Sequence, residues 1–196
     1  MRIVAGSLKG RPLLAPRGRA IRPTGERARE ALFDILEHGQ PAVRGSRFLD
    51  LFCGTGAVGL EACSRGAAEV VLLEHDRAAL EVAQTNLARL GAPANVRLLA
   101  RDASRLGKAP HPFDLVFLDP PWRSGLAGAT LQALARGGWL AADARVVVEL
   151  AATEDLELPA GYALERERRY GSAKFLFLRP SEDAAPAKDA AGAPHR

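Results

Sequence analysis

Asp119-Pro120-Pro121-Trp122 carries the strongest chemical signal in the chain. It closes the apolar run Phe113-Asp114-Leu115-Val116-Phe117-Leu118, which reads as a fully buried strand. Ligands of open α/β sheets bind at the carboxyl ends of the strands, where this tetrapeptide falls. Two prolines have no N–H to donate and hold φ near −65°, so Asp119 and the Pro120 carbonyl are presented as rigid acceptors. Trp122 sets a flat apolar face beside them. Acceptors next to a stacking face suit a planar substrate with an NH2 group, such as a nucleobase drawn out of its stack. The competing reading is a tight turn with a surface tryptophan.

A second constellation lies upstream, in Asp50-Leu51-Phe52-Cys53-Gly54-Thr55-Gly56-Ala57-Val58-Gly59. Arg47 to Leu51 reads as a short strand and Ala57 to Arg65 as a helix. Between them, Gly54, Gly56 and Gly59 allow a tight turn and a close approach of backbone to ligand at the helix N-terminus. The spacing G-x-G-x-x-G is shared by many nucleotide-binding loops and is weak alone. A following strand, Glu69 to Glu74, ends in a carboxylate about 20 residues after the first glycine, where a ribose-binding acid is expected. NAD and S-adenosylmethionine would both use Gly54, Gly56 and Glu74. Asp50 separates them: a carboxylate beside the loop repels a pyrophosphate but favours a cationic amine and a sulfonium. Its alternative role is to cap the loop.

The elements that would position these groups follow a simple order. Met1 to about Pro16 reads as a small hairpin, with Ile3-Val4 and Pro12-Leu13-Leu14 around Gly10. Thr24 is placed to cap a helix from Gly25 to Glu37, whose Ala28, Leu32, Ile35 and Leu36 form one apolar stripe. From Gly45 onward, strands near Phe48, Val70, Val96, Val116 and Val146 alternate with helices near Leu60, Leu80 and Leu131, the pattern of a parallel sheet. Tyr162 to Tyr170 and Ala173 to Arg179, joined by Gly171-Ser172, read as an antiparallel hairpin. From Ser181 the chain is Ala, Pro, Asp and Lys without periodicity, the composition of a disordered tail.

The 196 residues suit one domain with a sizeable core. No apolar run approaches a membrane span, and no signal-peptide core is visible, so a cytoplasmic protein is expected. Cys53 and Cys63 fit neither a metal site nor a disulfide framework and read as small buried thiols. The net charge of +4 is unevenly spread. Arg2, Lys9, Arg11, Arg17, Arg19 and Arg22 fall within the first 25 residues without one acid among them, the electrostatic footprint of a phosphate-backbone partner.

Asp-x-Phe-x-Gly-x-Gly, a strand-end Glu and Asp-Pro-Pro-aromatic together resemble the class I S-adenosylmethionine-dependent methyltransferases that act on exocyclic amines. Arg22-Pro23-Thr24 with Arg27 to Phe33 is similar to the N-terminal signature of the RsmD-type 16S rRNA guanine-N2 methyltransferases. So are Arg2 to Gly6 with Lys9-Gly10-Arg11, Gly59 to Ala62 with Ser64-Arg65-Gly66, Arg123 with Gly125-Leu126, and Gly138-Trp139-Leu140. The likeness spans about Arg2 to Arg179.

This resemblance implies an α/β fold of the class I, Rossmann-like kind: a mostly parallel seven-stranded sheet with a C-terminal antiparallel hairpin, preceded by a small N-terminal hairpin and helix. It divides the chain into a basic RNA-docking segment (1–44), a methyltransferase domain (45–180) and a tail (181–196). The implied catalytic residues are Asp119, Pro120, Pro121 and Trp122, with Trp122 standing where the family usually has Phe or Tyr. S-adenosylmethionine would be held by Asp50, Phe52, Gly54, Thr55, Gly56 and Glu74, and by Asp102 and Ala103 beside its adenine. Asp102 can also cap the following turn, and both roles could hold at once. Lys9, Arg11, Arg22, Arg27 and Arg123 would contact RNA, and no metal is expected. The implied substrate is one guanine of 16S rRNA (nucleotide 966 in the usual rRNA numbering) in the 30S subunit or an assembly intermediate, and the protein is expected to be a monomer.

Three other readings stay open on the residues. A DNA adenine-N6 or cytosine-N4 methyltransferase uses the same Asp-Pro-Pro-aromatic chemistry but normally carries a separate target-recognition region, for which this chain has no room. A glutamine-N5 protein methyltransferase typically has Asn at the first position. A non-catalytic RNA-binding assembly factor has no use for Asp50, Glu74 and Asp119 together.

Overall fold

The structure, a computed structural model, describes residues 1–15 and 25–181. The expected tail from 182 onward, the Thr24 cap, and Arg17, Arg19 and Arg22 all lie outside the described residues.

The strands are β1 (Arg47–Leu51), β2 (Glu69–Glu74), β3 (Val96–Ala100), β4 (Phe113–Leu118), β5 (Leu140–Ala151), β6 (Tyr162–Tyr170) and β7 (Ala173–Pro180). They form one seven-stranded sheet in the order β3-β2-β1-β4-β5-β7-β6. The first five are parallel, and β7 runs antiparallel between β5 and β6. This is the class I methyltransferase topology expected above. The helices are α1 (Glu26–Glu37), α2 (Ala57–Ser64), α3 (Arg77–Arg89) and α4 (Leu126–Gly137), with one 3-10 turn at Ala103–Arg105.

Side-chain alternation divides the core in two. Phe48, Val70, Leu72, Leu115, Phe117 and Val147 face α1, α2, α3 and the N-terminal segment. Leu49, Leu51, Val71, Val116, Val146 and Val148 face α4 and the 3-10 turn. Trp139 belongs to this second layer. It stacks on Phe113 with ring centroids 5.8 Å apart, and its indole N–H donates to the Gly107 carbonyl at 2.9 Å, so it is a core residue.

Helix α1 starts one residue later than the pattern predicted. Gly25 occupies the cap position and has no side chain to bond the first turn. The expected hairpin is held by one antiparallel bridge, Arg2 to Pro12, with Ile3 and Leu13 buried under it. Residues 1–15 and α1 therefore share a single core with the sheet, since Ile3, Leu13, Leu32, Phe33 and Leu36 sit among Phe48, Leu60 and Val70. Among the described residues, no helix is long and apolar enough to cross a membrane.

Candidate active site

Alternation along the strands places four carboxylates together. Asp50 on β1 is in register with Leu72 of β2 and Phe117 of β4, and Phe117 is in register with Val147 of β5. Leu72, Phe117 and Val147 all point to the α2 side. Two residues further along, on the same face, stand Glu74, Asp119 and Glu149. The carboxyl ends of β2, β1, β4 and β5 thus present Asp50 in a lower tier and three acids about 6.6 Å above it.

These side chains open into one cavity of about 380 Å³, also lined by Phe52, Cys53, Gly54, Thr55, Phe117, Pro120, Pro121 and Trp122. That volume lies within the range that holds small-molecule cofactors and substrates. The glycine loop and the diproline corner, 65 residues apart from Gly54 to Asp119, are two walls of the same chamber.

The loop is built from its acids. The Asp50 Oδ2 accepts the Gly59 N–H at 2.8 Å, fixing the first turn of α2 onto β1. Gly59 is required there, because an added Cβ would meet the Leu72 side chain at 2.2 Å. Glu74 accepts three backbone N–H groups, from Gly54 at 2.9 Å, His75 at 2.8 Å and Asp76 at 2.9 Å. Both acids therefore shape the loop while lining the cavity. Gly56 departs from expectation. It holds the left-handed cap of α2 at φ 77°, and the site where a Cβ would stand is closed by Leu72 and Leu60; it does not line the cavity.

Asp102 and Ala103 are not on the cavity wall either. The Asp102 carboxylate caps the 3-10 turn, accepting the Ser104 N–H at 2.8 Å and the Ser104 hydroxyl at 2.7 Å. These bonds hold its pKa below the usual carboxylate range.

The packing of like charges has a clear electrostatic result. Burial pushes Asp50 up to about 7; the Gly59 hydrogen bond opposes this and the Glu74 charge adds to it. Asp119 is raised well above the usual value, first by burial and then by Glu149, Asp50 and Glu74. Asp76 also lines the chamber, making five carboxyl groups among the described residues, with His75 the one basic side chain of those residues on the wall. A phosphate would be repelled from such a chamber, and a cation relieves it.

Glu149 was missed in the sequence. The signal was present: one carboxylate interrupts Arg145-Val146-Val147-Val148-Glu149-Leu150, one residue beyond the Val148 that pairs with Leu118. Phe117, His75 and Asp76 were also missed as wall residues.

The basic residues separate into two groups. Lys9, Arg11, Arg27 and Arg123 are exposed. Arg123 stands beside the diproline corner at φ 58° and donates to the Thr153 hydroxyl at 3.1 Å. Arg29 does not belong to an RNA-facing surface. Its side chain is fully buried, 3.5 Å from the equally buried Glu61 of α2.

Comparison with known proteins agrees with the topology. Residues 1–179 match the family described as Conserved hypothetical protein 95. The chain is 39% identical over 190 residues to "Ribosomal RNA small subunit methyltransferase D" of Escherichia coli K12, covering 95% of this chain and 94% of that protein. A protein of the same name from Haemophilus influenzae is 34% identical, with 87% and 89% covered. The solved structure of yhhF from Escherichia coli superposes with a TM-score of 0.79 at 38% identity, over 92% of this chain and 97% of that one.

Proposed function

The chain belongs to the Conserved hypothetical protein 95 family, and from that premise we propose that it transfers a methyl group from S-adenosylmethionine to the exocyclic N2 amine of a guanine in 16S rRNA. The proposed nucleotide is 966 in the usual rRNA numbering, modified during 30S maturation by a monomer in the cytoplasm. One observation carries the reading: the acid-lined glycine loop and the rigid Asp119-Pro120-Pro121-Trp122 corner face a common chamber. The relatives named for methylation of small-subunit ribosomal RNA supply the substrate class.

The residues present fit the cofactor. Asp50, Glu74 and Asp76 offer anionic partners for a cationic amine, a sulfonium and ribose hydroxyls, while Phe52 and Val58 give apolar wall. When bound, the sulfonium supplies an already activated methyl group. The chain's part is alignment and charge. Asp119 and the Pro120 carbonyl accept the hydrogens of N2, whose lone pair is otherwise delocalised into the ring. Gripping those hydrogens localises the lone pair and stabilises positive charge growing on nitrogen. Trp122 stacks on the extruded base and holds N2 at near-attack distance. The amine keeps the methyl carbon and loses one proton, which passes to the Asp119 carboxylate that grips it.

The decisive experiment is mass spectrometry of 16S rRNA from a strain lacking the gene. One N2-methylguanine should vanish and return when the gene is supplied in trans; unmodified levels in both strains would reject the reading.

Asp50 gives a pH prediction with a definite sign. Its carboxyl has a folded-state pKa near 7, raised above the ordinary 3.8, so the empty chamber favours the protonated acid. Its contribution to stability is full below about pH 4 and is lost as pH rises through 7. A bound cation favours the ionised form, so S-adenosylmethionine affinity should increase from about pH 5.5 to 7.5, with proton release on binding. Calorimetry in two buffers of different ionisation enthalpy measures that release. Asp50→Asn should lower it to what Asp119 contributes, and equal proton release in that variant would remove Asp50 as a source.

The exposed cations predict salt dependence. If Lys9, Arg11, Arg27 and Arg123 meet phosphates, affinity for the rRNA particle should fall steeply with salt, and a Lys9→Glu, Arg11→Glu double variant should show a shallower slope by roughly two phosphates. An unchanged slope would move the docking surface elsewhere.

A further inference from the structure

Glu149 is the acid in the chamber that the mechanism above does not use. It is 5% exposed and lies near the carboxyl end of β5, paired with Phe175 of β7 and one residue past the last pair with β4. Leu118 pairs with Val148, so Asp119 and Glu149 are the next residues on adjacent parallel strands. In-register residues of parallel neighbours project to the same face, and both line the cavity. The chamber therefore presents two carboxyl groups side by side, one on a rigid corner and one on a rigid strand.

Asp119 and the Pro120 carbonyl together suffice to hold an amine. A second carboxyl beside them matches a longer row of donors. Guanine offers such a row on its Watson–Crick edge, with N1–H next to the N2 amine. An ionised carboxylate only accepts. Facing N1–H it gains a charge-assisted hydrogen bond; facing a ring nitrogen that carries a lone pair it meets repulsion. We propose that Glu149 is a specificity-determining residue, whose carboxylate accepts guanine N1–H while Asp119 and the Pro120 carbonyl hold N2. The assignment rests on the guanine-N2 reading above and adds to it the means by which the base is chosen.

The test compares guanine with 2-aminopurine, which keeps the exocyclic 2-amine but has an unprotonated N1. Small-subunit particles are reconstituted with 16S rRNA carrying either base at the methylated position, and kcat/KM is read from transfer of a labelled methyl group. The wild type should prefer guanine by at least about 100-fold, since a site built for a donor leaves its acceptor unpaired against the analogue. In Glu149→Gln the amide can donate to N1 of 2-aminopurine, so the preference should fall by about tenfold or more. Glu149→Asp should keep the preference at a lower rate. Glu149→Gln with the wild-type preference would overturn the role of Glu149 alone, because guanine methylation would still stand. Near-equal use of the two bases by the wild type would overturn it without any variant. A wild type that methylates guanine at another atom, or not at all, would overturn this role together with the function it rests on.

Discussion

Asp119→Ala is expected to lower kcat for methyl transfer by about a thousandfold while changing S-adenosylmethionine affinity only a few-fold. The two effects separate because of where the side chain stands. Asp119 follows β4 directly, its N–H donates to the Leu51 carbonyl at 3.3 Å, and Pro120 and Pro121 fix the backbone after it. Its carboxyl thus belongs to the chamber wall at the diproline corner, the side proposed for the substrate, while Asp50 and Glu74 form the side built around the glycine loop. Removing it takes away the acceptor that the amine needs as charge develops on nitrogen. The loop hydrogen bonds are untouched, and losing one carboxyl of five, itself raised well above the usual value, weakens attraction for a cation only modestly. The variant also removes a buried carboxyl that is crowded by Glu149, Asp50 and Glu74, so the cofactor-free protein should be at least as stable as the wild type. Single-turnover methylation and calorimetric cofactor titration measure the two quantities. Turnover within tenfold of wild type would remove Asp119 from the chemistry.

What the sequence showed of this site follows from what kind of information each part required. Strands β1, β2 and β4 were legible to the residue, because each is a short apolar run bounded by turn residues or an acid. Asp50, Glu74 and Asp119 were legible because each sits near a strand's carboxyl end and beside a loop of unusual composition. Glu149 was harder to see. It lies inside the twelve-residue strand β5, with no glycine or proline to mark it, and becomes part of the site only through its lateral register with Asp119. Lateral register is a tertiary property that one strand's sequence does not contain. Gly56 and Asp102 show the converse. Each carries a local backbone role that its motif did not announce: a left-handed helix cap in one case and a 3-10 cap in the other.

The N-terminal segment shows the same limit on a larger scale. Its arginines look alike in the sequence, yet Arg27 is exposed and Arg29, two residues on, is fully buried. Helical spacing puts Arg29 on the inward face of α1, one turn before Leu32 and Phe33. Burial alone would pull its pKa down, and Glu61 is the nearby charge that opposes this most. Part of the basic signature is thus a device for folding, and the exposed part is what the proposed phosphate contact draws on.

Glu61→Ala should accordingly be the most destabilising single substitution away from the chamber. Glu61 is wholly buried in α2 and accepts the N–H groups of Val4 at 2.8 Å and Ala5 at 2.9 Å. It also takes the Arg65 guanidinium at 2.9 Å and lies 3.5 Å from Arg29. Arg65 in turn packs over the Phe33 ring at 4.9 Å. One carboxylate therefore ties the N-terminal strand pair, α1 and α2 into the shared core. Alanine would leave two buried cations short of their partner and two backbone donors unbonded, a loss of about 3–5 kcal/mol. For a chain of this length that is a drop of about 10 °C in Tm. Arg65 keeps Glu37 at 3.0 Å, so the heavier loss falls on Arg29 and on the docking of residues 1–15. Glu61→Gln preserves a carbonyl acceptor for one backbone N–H but not the charge, and should fall between the two. Denaturant unfolding gives the magnitude, and hydrogen exchange at the Val4 and Ala5 amides gives its location. A loss below about 1 kcal/mol, or exchange at those amides no faster than in the wild type, would mean that apolar packing of Ile3 and Leu13 holds the segment without the buried ion network.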